Sequence, residues 1–484
     1  MSELYFPAIL PEILLCAGGV LIMVVEPFLK KSGRTASALL AMLAYVAAAL
    51  AAVGLIQPSA GLSFHGMVTS DAFGIFFRMV FYGIGILMTV GTLAYLQREN
   101  FPAGEFSALM LFATAGMDFM VIGTDLVMTF IGLEILSVAT YVLAGFRRQD
   151  PLSNESGLKY FFMGAFSSAI LLYGVALVYG AAGSTNYAKI LAYTGQFGSL
   201  RDLPLILFLG VALILVGFCF KVALAPFQVW TPDVYQGAPT PVATFMSVGP
   251  KAAGFAALIR VLFQTMPPDL APWTQLLLAS SILTMLIGNL GAVPQTNVKR
   301  MLAYSSIAHA GYILIGVIAA NQTGLSAILF YAVAYALMNI GAFTVVAIVG
   351  GAGDRRVDLE DFKGLGFRHP VLSFPLTVCL VSLAGIPATA GFIGKFFLFS
   401  AAIQRQFFTL VILAVLASLV SVYYYLRVVV YMFMKDEDSG NPVAVDTPGA
   451  VAVLACSGLV LFFGLFPTGL LQLAHSAVAA FLGR

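Results

Sequence analysis

Apolar runs long enough to cross a bilayer follow one another along almost the whole chain, each bounded by Gly, Pro, charged or amide clusters. Their approximate centres are Leu15, Tyr45, Ile84, Ala115, Leu136, Ala169, Leu213, Lys251, Ile282, Ala308, Val333, Leu383, Leu419 and Leu459. About fourteen membrane-spanning helices are therefore predicted. Of the 484 residues, 60% are apolar and 10% are charged, whereas a soluble domain carries roughly 25% charge. The expected fold is an all-α polytopic membrane protein with no room for a soluble catalytic domain. With Lys+Arg 24 against Asp+Glu 22 and no basic run, there is no electrostatic footprint for nucleic acid.

Cys16, Cys219, Cys379 and Cys456 each stand alone inside an apolar run, without CxxC or clustered spacing. They read as buried thiols, which speaks against iron–sulfur clusters, structural zinc and c-type haem in this chain. No GxGxxG, P-loop or paired histidines on one helix appear either, so no prosthetic group is expected here. Met1 to Leu10 lacks a basic n-region and a cleavage site, and the apolar stretch continues to Met23, so it reads as a retained first span.

Alternate loops carry most of the Lys and Arg: Lys30, Lys31 and Arg34; Arg98; Arg147 and Arg148; Lys299 and Arg300; Arg355, Arg356, Lys363 and Arg368; and Lys435. Lys189, Arg201, Arg260, Arg405 and Arg484 fall on the opposite side. The positive-inside bias makes the first set cytoplasmic and places both termini outside.

Two spans look interrupted, the seventh at Ala225-Pro226 and the twelfth between Ala384 and Gly391 around Pro387. Proline inside a span frees backbone carbonyls that must find partners in protein or water. Laying helices 4–8 over helices 9–13 brings Pro226 onto Pro387, Glu134 onto His309 and Lys251 onto Arg427. Because five spans reverse direction, the second copy is inverted, and inverted repeats with paired broken helices are a feature of ion-moving machinery. The implied organisation is helices 1–3 in 1–106, a first repeat in 107–264, a second in 265–435 and a C-terminal helix in 436–484.

Ionisable residues sit where insertion costs about 2.5–3.5 kcal/mol each. Glu134, Lys221, Lys251 and Lys395 lie well inside spans, His309 lies at similar depth, and Lys159 lies near the start of its helix. Snorkelling accounts well for Arg427 and Glu26, while Arg78 and Asp118 read as paired or interfacial. Structural ion pairs are the bland reading of the buried lysines. The sharper reading is a proton relay, in which a Glu–Lys pair controls whether its lysine passes a proton to the next, with hydroxyls and water between.

The segments Phe220-Lys221 and Ala225 to Val242, Lys299 to Tyr312, and Ala384 to Phe396 resemble signatures of the antiporter-like membrane subunits of respiratory complex I. The likeness runs through essentially the whole chain. The Asp233 to Pro239 wording and the Leu158 to Phe162 start of the sixth helix narrow it to a branch lacking the extra C-terminal helices of subunit L. The resemblance implies a proton-translocating membrane-arm subunit of NADH:quinone oxidoreductase in a bacterial inner membrane. NADH, FMN, iron–sulfur clusters and quinone would belong to the rest of the complex, with subunit M, small subunit K and membrane lipid as neighbours. It further implies that Glu134 pairs with Lys221, that Lys251 is the central relay lysine, that Lys395 serves the outward half-channel, and that Lys159 takes part. Gln228 departs from the family, where many relatives have histidine, so water or a hydroxyl would have to carry a proton there. The alternative is a subunit of a multisubunit cation/proton antiporter that uses the same lysines without redox coupling.

Overall fold

The computed structural model describes residues 4–28, 33–55, 61–199, 202–267, 273–435 and 443–483. Polar residues begin many of the apolar helices: Asp71, Asp125, Asp150, Asn297, Asn321 and Asp446 each accept a first-turn backbone N–H with a side-chain oxygen. An N-terminal group holds α1 (Leu10–Val25), α2 (Gly33–Val53) and α3 (Ala72–Arg98), with a hairpin of β1 (Leu62–Ser63) and β2 (Val68–Thr69) between the last two. Next come α4 (Ala103–Ile122), α5 (Leu126–Ala144), α6 (Pro151–Ala182), the short α7 (Tyr187–Thr194), α8 (Leu205–Lys221), α9 (Trp230–Gly237) and α10 (Thr240–Thr265). They are followed by α11 (Thr274–Ala292), α12 (Val298–Ala319), α13 (Gln322–Gly350), α14 (Leu365–Arg368), α15 (Pro370–Ala384), α16 (Ala390–Gln404) and α17 (Phe408–Met434). The chain ends with α18 (Thr447–Leu465) and α19 (Thr468–Phe481). The single C-terminal helix expected from sequence is thus two helices, parted at Phe466-Pro467 because proline cannot continue the ladder.

Twelve of these helices, or thirteen with a bent pair ending at Ala384, are long and apolar enough to cross a membrane. Twelve of the expected centres lie on them. The other two, Leu213 and Leu383, fall on α8 with 17 residues and α15 with 15, helices that stop at the breaks expected around Pro226 and Pro387.

Two backbone bridges recur where the expected repeat would place them. Asp125 bridges to Asn186 and Asn297 bridges to Asp358, both antiparallel and at the same spacing along the chain. In the first bridge, Leu126 N donates to Thr185 O and Tyr187 N to Thr124 O; in the second, Val298 N donates to Val357 O and Leu359 N to Thr296 O. Each bridge ties the start of a helix, α5 or α12, to the loop after the helix that follows it.

Lys30 and Lys31 lie outside the described residues; among those described, charged loops between spans meet on one face. Arg147 reaches Glu99 and Asp354 there, and Lys299 reaches Asp354. At the centre α10, α12 and α13 are almost wholly buried. By contrast α6 and α17 turn Phe162, Phe166, Leu416 and Leu419 outward, an apolar exterior suited to lipid or to another membrane subunit.

Candidate functional site

At the first break the chain leaves α8 after Lys221, passes through Ala223 at φ 61° and contains a cis Ala225–Pro226 peptide. Hydroxyls of α11 supply the missing partners: Ala225 N donates to Thr284 Oγ1 at 2.8 Å, and Ser280 Oγ donates to Ala225 O at 2.7 Å. Trp230 Nε1 donates to Phe220 O at 3.2 Å. With the break satisfied in this way, the Lys221 ammonium turns to α5. It donates to Ser137 Oγ at 2.9 Å and lies 5.9 Å from the centre of the Tyr160 ring.

Glu134 stands one turn before Ser137 on α5. Its Oε1 is buried without a hydrogen-bond partner, and among the described residues no ion pair joins it to Lys221. The structure therefore places a serine where the sequence suggested a direct Glu134–Lys221 pair. A hydroxyl one turn along the same helix meets the ammonium, leaving the carboxyl close by without a hydrogen bond to it.

Lys251, buried in the middle of α10, donates to the carbonyl of Ser306 at 2.6 Å and to its hydroxyl. Tyr335 OH donates to the same hydroxyl at 2.8 Å. Gly254, one turn after Lys251, lets α8 close on α10: a Cβ there would stand 2.5 Å from Val222 Cγ1 and 3.6 Å from Lys221 Cγ. The stem of the first lysine thus runs beside the helix that carries the second.

From Ser306 the polar line continues along α12. His309 Nδ1 is 2.6 Å from Tyr331 OH and its Nε2 is 3.1 Å from Tyr425 OH, and Tyr425 OH in turn bonds Ser305 Oγ. An imidazole between two phenols has a hydrogen-bonding partner on each nitrogen, the arrangement a proton carrier needs.

Lys395 closes the series at the second break. α15 ends at Ala384, Gly385 adopts φ 86°, and Lys395 reaches back from α16 to the carbonyls of Leu383 at 3.0 Å and Ala384 at 3.2 Å. It also donates to Ser418 Oγ at 2.9 Å and sits 4.8 Å from the centre of the Tyr312 ring. An ammonium on the last carbonyls of a helix satisfies orphan acceptors and opposes the helix dipole. Among the described residues, none of Lys221, Lys251 and Lys395 forms an ion pair, so the bland reading of buried lysines as structural salt bridges does not describe them.

Lys159 lies apart from this series. It is 41% exposed and pairs with Glu155 at 2.7 Å and Asp233 at 2.8 Å; Asp233 also takes Arg300 at 2.7 Å. Gln228, where a histidine would have been a proton carrier, is buried with its carbonyl oxygen unpartnered. Arg427 donates to the carbonyls of Val293 and Gln295, closing the end of α11. Glu26 accepts Gly104 N at 2.6 Å at the start of α4.

In the sequence Arg147 and Lys299 serve to orient the chain, Lys299 also opens a signature segment, and Asp354 does not stand out. In the structure Asp354 Oδ2 accepts from Tyr95 OH at 2.9 Å and Thr240 N at 2.9 Å, and pairs with Lys299 at 3.4 Å and Arg147 at 3.5 Å. One carboxylate thereby fastens α3, the loop after α5, α10 and α12 at the charged face. Burial alone would raise its pKa, but Lys299, Arg147 and the Thr240 amide together hold it below the ordinary carboxylate value. Among the described residues no group of three or more His, Cys, Asp or Glu could hold a metal ion.

Two broken helices, an internal repeat and a buried lysine series define an antiporter-like membrane subunit. The family described as NADH:quinone oxidoreductase/Mrp antiporter, TM, matches residues 123–421. NADH-quinone oxidoreductase subunit N of Trichlorobacter lovleyi is 46% identical over 97% of this chain and 96% of its own length. Subunit N 1 of Solibacter usitatus is 42% identical over 97% of this chain and 96% of its own. A chain of respiratory complex I from Thermus thermophilus with bound aureothin superposes with a TM-score of 0.80 at 33% identity, over 96% of this chain and all of that one. The chain belongs to the family of NADH-quinone oxidoreductase subunit N.

Proposed function

We propose that protons cross this chain through Lys221, Lys251, His309 and Lys395, with Glu134 biasing the entry. The chain is a proton-translocating membrane-arm subunit of NADH:quinone oxidoreductase, so electron transfer from NADH to quinone takes place on other subunits and reaches this one as an electrostatic perturbation. One observation carries the reading. Three lysines, 6%, 2% and 4% exposed, have serine hydroxyls, backbone carbonyls and aromatic rings around them where a structural role would have placed carboxylates.

The Ser137 bridge gives the control step a concrete form. A shift of Lys221 from Ser137 toward Glu134 stabilises the ammonium, and its return weakens that hold and favours passing a proton toward Lys251, across the gap narrowed by Gly254. From Lys251 the hydroxyls of Ser306 and Tyr335 and the His309–Tyr331–Tyr425 cluster form the polar interior, and Lys395 receives the proton at the second break. Lys159, with its exposed ion pairs, fits a role at the surface that faces a neighbouring subunit. In this reading the Lys- and Arg-rich face is cytoplasmic in a bacterial inner membrane, both termini are periplasmic, and subunit M and small subunit K are the adjacent chains.

The test is to replace Ser137 with Ala in the whole complex, reconstitute it in liposomes, and follow proton uptake against NADH oxidation. The reading expects assembled complex with a changed proton-to-electron ratio. Normal pumping with normal assembly would remove Ser137 from the control step, and loss of assembly alone would favour a scaffold role for these charges.

A further inference from the structure

A second group of ionisable side chains is buried away from the lysine series, between α1, α3 and α4. Glu12, Arg78 and Asp118 are 1%, 0% and 0% exposed. Arg78 Nε donates to Glu12 Oε1 at 3.1 Å, Arg78 Nη2 donates to the same oxygen and to Ala8 O at 2.9 Å, and Tyr82 OH donates to Asp118 Oδ2 at 2.6 Å. Three polar atoms of this one cluster are buried without a partner: Glu12 Oε2, Arg78 Nη1 and Asp118 Oδ1.

Charge and hydrogen-bond counting lead to the same place. Two carboxylates and one guanidinium would leave a net negative charge buried inside the protein, which is costly without further partners. Around Asp118 stand Glu12 and Cys16 from α1, Tyr45 from α2, and Arg78 and Tyr82 from α3. On the remaining neighbours, α5 carries Glu134 and α10 carries Lys251 and Arg260, and Arg260 is already held by Asp71 and by Val121 O. Adding one proton makes the cluster neutral. The same proton supplies a donor to one of two acceptors that lack one, Glu12 Oε2 and Asp118 Oδ1.

We propose that Glu12 and Asp118 share one bound proton, forming a proton-holding site distinct from the lysine series. Arg78 balances whichever carboxyl is ionised, and Tyr82 orients Asp118. Glu12 also lines a shallow apolar groove on the outer side of α1 with Cys16, Val20 and Phe119, which places the site just beneath the surface. It also lies close to Glu134 through the helices: α4 and α5 meet at reciprocal glycines, where a Cβ on Gly116 would come within 2.5 Å of Leu136 N and one on Gly132 within 2.7 Å of Met120 N. The proposal stands on this cluster alone and does not depend on the lysine relay.

The experiment is infrared difference spectroscopy at neutral pH, in H2O and D2O, on the purified whole complex with Asp118→Asn, Glu12→Gln and the double substitution. A shared proton requires each single variant to lose one D2O-sensitive protonated-acid C=O band. In each, the remaining carboxyl becomes the counter-ion of Arg78, so the double variant loses no further acid band. Loss of carboxylate bands without the acid band in either single variant overturns the proposal, as does an acid band that survives Glu12→Gln. If a substitution prevents assembly, Tyr82→Phe removes only the hydrogen bond to Asp118. The acid band then has to shift, and an unmoved band overturns the proposal equally.

Discussion

The two broken helices use the same proline device and reach opposite solutions. At the first break, Ser280, Thr284 and Trp230 take up the loose backbone groups, and Lys221 is released to Ser137 beside Glu134. At the second, the lysine itself caps the last carbonyls of α15. The difference follows from position. Lys221 precedes its proline by five residues and emerges where α8 ends, whereas Lys395 follows its proline by eight and points back from the next helix. One lysine is thus held by a side-chain hydroxyl of another helix, and the other is anchored in the backbone of the break itself. The proposed relay uses the first arrangement as its control element and the second as its terminal station.

The comparison can be broken first at the joint that serves both halves. Asp354→Asn leaves the buried Lys299 without its counter-charge and Arg147 with Glu99 and Asp150 alone, and removal of one partner from a buried pair costs about 3–5 kcal/mol. Thermal melting of the purified complex in detergent should show this loss at neutral pH. The wild type should also have an acid limb. The Asp354 carboxyl is depressed in the folded state, so its stabilisation is complete above its ordinary value of 3.8 and disappears as pH falls through the lower folded-state range. Asp354→Asn should lack that component.

Next in size is Lys395→Met. It removes the proposed proton carrier and leaves Leu383 O bare and Ala384 O with only Ser418 at 3.3 Å, a loss of about 3 kcal/mol for charged bonds to buried carbonyls. Both the melting temperature and the proton-to-electron ratio should fall. Thr284→Val tests the first break in isolation: it orphans Ala225 N, costs about 1–3 kcal/mol, and should leave the ratio unchanged in the complex that survives. Lys221→Met is the complement. Because hydroxyls rather than Lys221 satisfy that break, stability should change by less than about 1 kcal/mol while pumping falls. Equal destabilisation by Lys221→Met and Lys395→Met would erase the distinction between the two breaks.

The spans and both breaks were readable because hydropathy and proline act locally. Glu134, Lys221, Lys251, His309 and Lys395 stood out because charge inside an apolar run is expensive wherever the run packs. Partner choice was not readable. Whether Lys221 meets Glu134 or Ser137 depends on one helical turn of register between α5 and α8, and that register is set by packing. Asp354 was hidden for a related reason: in a loop it resembles any solvated charge, and its burial arises only when Tyr95, Lys299 and the start of α10 converge on it. Glu12 was overlooked, and Arg78 and Asp118 read only as paired or interfacial, because the three belong to different helices and become a cluster only when α1, α3 and α4 pack together.

The most direct test is the proton-to-electron ratio of the complex carrying Lys251→Ala, measured in sealed vesicles during NADH oxidation with assembly checked in parallel. Lys251 has Ser306 and no carboxylate for company, so a relay predicts intact complex and a lowered ratio. An unchanged ratio in fully assembled complex would contradict the account.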